Sequence, residues 1–379
     1  MKTIYERSQI SRVAISRATQ LTRPTVSEIV AGLMEQGLVE EIGYAPSSGG
    51  KRPMLLRVVD DSRYLIGVDL GRGDFRGAVI NLRGEIKHRV ELPLHKRRGD
   101  AALALAYDLI DALVESAGAP LLGMGIGAPG PVDVVRGVMH HAVNLDWRDI
   151  PMRERLQERY NLPVYMANDC QVAALAEHTF GHNGDEEKNL VVINVGYGIG
   201  SGIVLDGQLL YGKPLGAGEI GHVVVVQDGE QCSCGNFGCL ETVASSRAII
   251  RRAQAAARDN PHSRLNQYAA SPDEITLAVI CQAMQDGDES ARQIVFEAGR
   301  YLGIAAANLV GVLGSCRILF AGSVTCFGQF LLDVIREEVG KRSLPLVARD
   351  TEISYAGLGP NIVLLGASAL LLPSELGLL

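Results

Sequence analysis

The chain has 379 residues, a length at which roughly 150 residues per domain gives two or three domains and a sizeable core. With 47% hydrophobic and 21% charged residues, 43 Gly and 7 Cys, its composition excludes the disordered, collagen-like and disulfide-stapled classes. The net charge is −7, yet residues 1–57 carry 8 basic against 5 acidic side chains, so a head of +3 precedes a body of −10. A basic head on an acidic body suggests a nucleic-acid-binding module joined to something that does not bind nucleic acid.

In the head, Ser11 to Ala18 can form a short helix, and a second runs from Thr22 to Gln36. Thr22 is a natural N-cap, Pro24 sits in the first turn, and Val26, Ile29, Val30 and Leu33 recur at i, i+3, i+4, i+7, predicting one buried stripe. Arg23, Thr25, Ser27 and Glu28 are left on other faces near the N-terminal end, which suits a helix that meets base edges and phosphates in a major groove. Leu38 to Ile42 and Met54 to Val58 read as two strands joined by the Gly/Ser-rich turn Gly43 to Gly50, a wing. Lys51 and Arg52 at its end can reach phosphates or a minor groove. The competing reading is a solvated helical hairpin used only for packing. The run ISRVAISRATQLTRPTVSEIVAGLMEQGLVEEIG followed by SSGGKRP resembles the winged helix-turn-helix head of the ROK-family transcriptional repressors. One departure is visible: the family has a fuller first helix, where only Lys2 to Gln9 stands here.

The body carries an internal repeat. A strand from Tyr64 to Leu70 and another from Leu190 to Val195 each run into a glycine turn and a second apolar strand. At an offset of 125 residues Gly71 matches Gly196, Gly73 matches Gly198 and Gly77 matches Gly202. The pattern predicts two similar α/β lobes facing each other across a cleft; coincidence between two glycine hairpins is the alternative. Between the repeats, apolar runs end at Gly130, near Asn144, and at Asn168-Asp169. Strand ends carry ligands in such lobes, and an amide beside a carboxylate suits sugar hydroxyls, which need acceptors and donors. The plainer role for Asn168-Asp169 is to cap the helix that follows, and one residue can do both.

The sharpest local signal is Gly218-Glu219-Ile220-Gly221-His222 followed by Cys232, Cys234 and Cys239. The spacing His-x9-Cys-x-Cys-x4-Cys offers one nitrogen and three sulfurs, the complement of a closed structural zinc site, with Gly235 and Gly238 letting the backbone fold about the ion. Four protein ligands leave no open position, which argues against catalytic zinc. A redox pair at Cys232 and Cys234, or buried free thiols, are the alternatives. Cys170, Cys281, Cys316 and Cys326 are scattered and are expected buried and reduced.

GEIGH with CSCGNFGCLE is similar to the ROK signature, and the resemblance extends from Ile10 to Leu372. It implies the duplicated actin-like, sugar-kinase-like fold and a sugar pocket built from Asn168, Asp169, Glu219, His222 and Glu241, with Gly130 and Asn144 as looser matches. His222 then serves twice, one ring nitrogen on zinc and the other on a sugar hydroxyl. Kinases of this family hold ATP phosphates on an Asp-x-Gly-Gly-Thr turn and a Gly-Thr-Gly turn. Here Arg72 and Gly73 stand for the Gly and Thr of the first, Asp74 adds a negative charge, and Tyr197 replaces the Thr of the second. Phe320 to Val324, where the kinases carry glycines near the nucleoside, is also altered. Asp169, a kinase's base toward the sugar hydroxyl, is kept, but a receptor has equal use for it.

The expected fold is α/β: a winged helix-turn-helix over 1–60, a two-lobe body with lobe 1 over 61–180 and a C-terminal helix at 362–379 packing back on it, and lobe 2 over 181–361 with the zinc site. The expected function is a non-enzymatic, sugar-responsive repressor; the alternatives are an ATP-dependent sugar kinase with a DNA-binding extension and an interaction protein read out by a transport component. The expected partners are operator DNA, a sugar that closes the cleft and changes the spacing of the heads, and further copies of the chain in a homodimer or tetramer. The longest uncharged stretch, Ile353 to Ser374, contains Pro360, Asn361, Pro373 and three glycines, and Lys2 to Arg7 lack an apolar leader, so no membrane span or secretion is expected and the cytoplasm is the expected location.

Overall fold

The computed structural model describes residues 1–45, 52–181, 189–212, 216–314 and 316–378. Two compact units divide the chain: Met1–Val172 with Asn361–Leu379, and Ala173–Pro360.

The first unit begins with α1 (Lys2–Glu6), β1 (Ile10–Ser11), α2 (Arg12–Thr19), α3 (Arg23–Glu35), β2 (Val39–Tyr44) and β3 (Met54–Val58). Ser11 caps α2 by accepting from the Ala14 N–H, and Thr22 caps α3 by accepting from the Thr25 N–H. The three strands form one antiparallel sheet in the order β1-β3-β2. Val26 and Val30 are buried as the stripe requires, but Ile29 is 46% exposed. The apolar contact of α3 is thus narrower than its periodicity implies, and Ile29 lies at the margin facing solvent.

The chain continues through β4 (Tyr64–Leu70), β5 (Asp74–Asn81), β6 (Ile86–Pro93), α4 (Gly99–Ser116), β7 (Leu121–Ala128), β8 (Val132–Asp133), β9 (Val138–Ala142), β10 (Trp147–Ile150), α5 (Met152–Tyr160), β11 (Val164–Asn168) and α6 (Asp169–Phe180). The main sheet has the order β11-β7-β4-β5-β6; β8, β9 and β10 make a small separate sheet. In β4, Ile66, Val68 and Leu70 join a core with Leu109 and Leu113 of α4. A strand covered on both faces must be apolar throughout, as β4 is up to Asp69.

The second unit contains β12 (Leu190–Val195), β13 (Ile199–Leu205), β14 (Gln208–Leu209), α7 (Leu240–Ala244), α8 (Ser246–Asp259), α9 (Leu265–Tyr268), α10 (Leu277–Gln285), α11 (Glu289–Leu313), β15 (Arg317–Ala321), α12 (Gly328–Arg342), α13 (Pro345–Arg349) and β16 (Glu352–Tyr355). Its sheet order is β14-β13-β12-β15-β16. In both units the first two strands pair antiparallel, the fourth runs parallel to the first, and the fifth runs parallel to the fourth. That is the duplication the glycine repeat announced.

Helices α14 (Ile362–Ala369) and α15 (Leu371–Leu376) return to the first unit. By length and composition Gly359–Leu376 could cross a membrane, but every residue of α14 is buried. It presses so closely on β7 that a Cβ at Gly125 would collide with the Ala367 carbonyl, which is why glycine stands there.

Candidate functional site

Four side chains converge in the second unit. His222 ends a 3-10 turn, Ile220–His222, and the three cysteines sit on a knuckle tied by antiparallel bridges Val224 to Cys239 and Gln231 to Phe237. The Cys232 N–H donates to the Asn236 carbonyl at 2.7 Å and the Gly238 N–H to that of Glu230 at 2.9 Å. Gly238 has φ +73°, and a Cβ there would strike the Val226 carbonyl, so the tight fold requires glycine.

The donor atoms of His222, Cys232, Cys234 and Cys239 all lie within 4.8 Å of one another. His222 Nδ1 is 3.6 Å from Cys232 Sγ, and Cys234 Sγ is 3.7 Å from Cys239 Sγ. A tetrahedral zinc with bonds of about 2.3 Å to sulfur and 2.0–2.1 Å to nitrogen needs edges of about 3.8 Å between sulfurs and about 3.6 Å between nitrogen and sulfur. The residues therefore fit a tetrahedral cation in donor type, number and spacing. Burial pushes the Cys239 thiol up to about 12, and the neighbouring thiols add to it; a cation relieves that cost by binding thiolates. Cys170, Cys281 and Cys316 are buried and in no disulfide, but Cys326 is exposed, because it lies on the 3-10 turn Ser323–Phe327.

The His222 ring faces two ways. Its Nδ1 points to the sulfurs, while Nε2 stands 3.9 Å from Glu219 Oε2. Glu241 is more committed: one carboxylate oxygen accepts from the Ile199 N–H at 3.1 Å, and the other is 3.5 Å from Arg247 Nη2. The Arg247 guanidinium lies 5.0 Å over the Tyr197 ring. Glu241 and Arg247 thus hold the second glycine turn, Gly196-Tyr197-Gly198, in place.

In the first unit Asn168 caps α6. Its Oδ1 accepts from the Cys170 N–H at 2.9 Å, its Nδ2 donates to the Gly130 carbonyl at 3.1 Å, and Asp169 opens the helix. At the first glycine turn Asp69 and Arg76 are paired across β4 and β5 and form a short ion pair, with Asp74 3.6 Å from Arg76. Burial raises the Asp69 carboxyl to about 6; Arg76 opposes this and Asp169 adds to it. Reasoning from sequence singled out neither Arg76 nor Arg247. Each joins an ion-pair network beside one of the two glycine turns.

On the head, Arg23, Thr25, Ser27 and Arg52 are exposed; Lys51 lies outside the described residues. Glu41 pairs with Arg12 at 2.7 Å and Glu40 with Arg57 at 2.6 Å, which withdraws two of the head's cations. Arg17, Arg23 and Arg52 make no ion pair among the described residues, and Arg17, in the last turn of α2, joins the candidate cations only now.

A family model described as the ROK family matches residues 65–373. The chain belongs to the ROK family. A protein named xylose repressor from Caldicellulosiruptor bescii is 34% identical over 99% of this chain and 95% of its own. A glucokinase from Halalkalibacterium halodurans is 36% identical over 83% of this chain and 96% of its own. The crystal structure of a ROK family transcriptional regulator, described as a homolog of E. coli MLC protein, superposes with a TM-score of 0.87 at 30% identity, covering 98% of this chain and 93% of that one. ROK members named as repressors thus align with the head as well as the body, whereas the glucokinase is spanned almost whole by a smaller part of this chain.

Proposed function

We propose that the chain is a DNA-binding transcriptional repressor whose operator affinity is set by a sugar, and that it is not an enzyme. The observation that carries this reading is the N-terminal head: its capped helices α2 and α3 and three-stranded sheet lie in the part of the chain that aligns with the xylose repressor. As a winged helix-turn-helix, it would present Arg23, Thr25 and Ser27 to bases and Lys51 and Arg52 to the backbone. A homodimer or a tetramer of the chain would offer paired heads to the half-sites of a near-palindromic operator.

Within each unit one set of side chains suits sugar hydroxyls: Asn168 and Asp169 in the first, Glu219, His222 and Glu241 in the second. His222 Nδ1 and the three cysteine sulfurs would hold Zn²⁺ as a structural ion. Bound there, zinc fixes the knuckle and the tautomer of His222, leaving Nε2 and Glu219 aimed by the backbone rather than by chance. The loss of both hydroxyls from the phosphate turns, and the ion pairs made there by Arg76 and Arg247, support a body without ATP chemistry. Sugar lifts repression only to the extent that it binds the DNA-free form more tightly than the bound form.

Titration calorimetry of the full chain with pentoses, hexoses, N-acetylaminosugars and Mg-ATP tests this. Saturable sugar heat without Mg-ATP heat is expected. The kinase alternative, favoured by the retained Asp169 and the glucokinase similarity, requires Mg-ATP binding and a phosphorylated sugar product.

A further inference from the structure

The connection between head and body has no slack. Only Val59 to Arg63 separate β3 from β4, and this segment is tied at several points. The Val59 N–H donates to the Leu38 carbonyl at 2.9 Å, and Arg63 Nη2 donates to the Gln36 carbonyl at 3.1 Å. From the body, the Leu82 N–H donates to the Asp60 carbonyl at 3.1 Å, Arg83 Nε donates to Asp60 Oδ1 at 3.2 Å, and Asn81 Nδ2 donates to Asp61 Oδ1 at 3.0 Å. Flexible linkers are glycine- and serine-rich and unpaired; this one is neither.

The turn after β5 also reaches α1. The Tyr5 hydroxyl donates to the Leu82 carbonyl at 2.7 Å in a buried bond, and the Arg83 guanidinium stacks on the Tyr5 ring at 4.1 Å. Tyr5 is 7% and Leu82 0% exposed, so the contact is a packed joint. One end of the β4–β5 hairpin carries the Asp69–Arg76 turn, and the other carries the residues that grip the head. A hydrogen-bonded strand pair of this length transmits displacement better than it absorbs it.

We propose that Tyr5 and Arg83 form a clasp that fixes the head to the β4–β5 hairpin, and that the sugar signal reaches operator DNA through this clasp. They are positioning residues that touch neither ligand. The signal route rests on the repressor reading; the rigid joint does not.

The test uses the full chain, a duplex selected by the wild type from a random library, and D-xylose, D-glucose and N-acetyl-D-glucosamine as probes. Tyr5→Phe removes one hydrogen bond and keeps the ring; Arg83→Ala removes the stacked cation. Each variant is expected to bind sugar as the wild type does while the ratio of operator affinities without and with sugar shrinks roughly fivefold or more. A purely structural role would lower thermal stability and leave that ratio alone. Hydrogen exchange on the wild type supplies the second arm: slow exchange at the Val59 and Leu82 amides is expected, and exchange at free-peptide rates overturns the joint. A responsive wild type with an unchanged ratio in both variants overturns the route alone, whereas a wild type indifferent to all three sugars overturns the route together with the repressor reading.

Discussion

In the proposed reading metal and ligand chemistry would meet on His222, whose two ring nitrogens face different partners. Cys234→Ser removes one of four donors, so zinc measured by elemental analysis should fall from one equivalent to near zero. Thermal stability should fall by at least about 2 kcal/mol, or roughly 4–8 °C for a unit of this size. Unchanged metal content would remove the zinc proposal. Asp69 gives a second test, with a definite sign. Its folded carboxyl is raised to about 6, so it is protonated more readily folded than unfolded. Its ionisation therefore opposes folding: the penalty is absent below about pH 4, grows up to about pH 6 and is complete above that. Asp69→Asn should gain on the wild type by about 1 kcal/mol between about pH 5 and pH 7.5, since the loss of Arg76's partner is independent of pH in that range. Denaturant melts at the two pH values check this; a constant difference would contradict it. The cluster of His222 and three cysteines was legible in the sequence because its spacing is local. The Asp69–Arg76 pair was not, because it exists only once the hairpin register sets the two residues opposite each other.

At the level of elements, the caps read from the sequence were the most legible features: Thr22 accepts from the Thr25 N–H and Asn168 from the Cys170 N–H. Periodicity served less well. It made Ile29 part of the buried stripe of α3, but the short helix is covered on one side only. If α3 reads bases, Arg23→Ala should cost about 1–3 kcal/mol on the selected operator and relax its sequence preference, whereas Arg52→Ala should weaken all duplexes alike and lower the salt slope by about 1. Binding isotherms at several salt concentrations separate the two; equal behaviour of both variants would count against α3 as the reader.

Taken whole, the molecule repeats one five-stranded order in its two units. The duplication was legible because the strand, glycine turn and strand recur at one offset of 125 residues. The fastening of the head to the rest of the first unit was not, since it depends on contacts such as that of Tyr5 with Leu82, 77 residues apart in the chain. Asp169→Asn should weaken sugar binding at least tenfold and leave operator affinity without sugar unchanged, as followed by calorimetry and by DNA binding. Loss of both would argue against separate sites.

Linkage between sugar and DNA is tested by fluorescence anisotropy of a labelled, selected operator bound to the full chain while each sugar is titrated in without nucleotide. Saturable release by at least one sugar, with a midpoint that rises as operator concentration rises, is the expected result. An operator complex indifferent to every sugar, or responsive only when Mg-ATP is present, would contradict it.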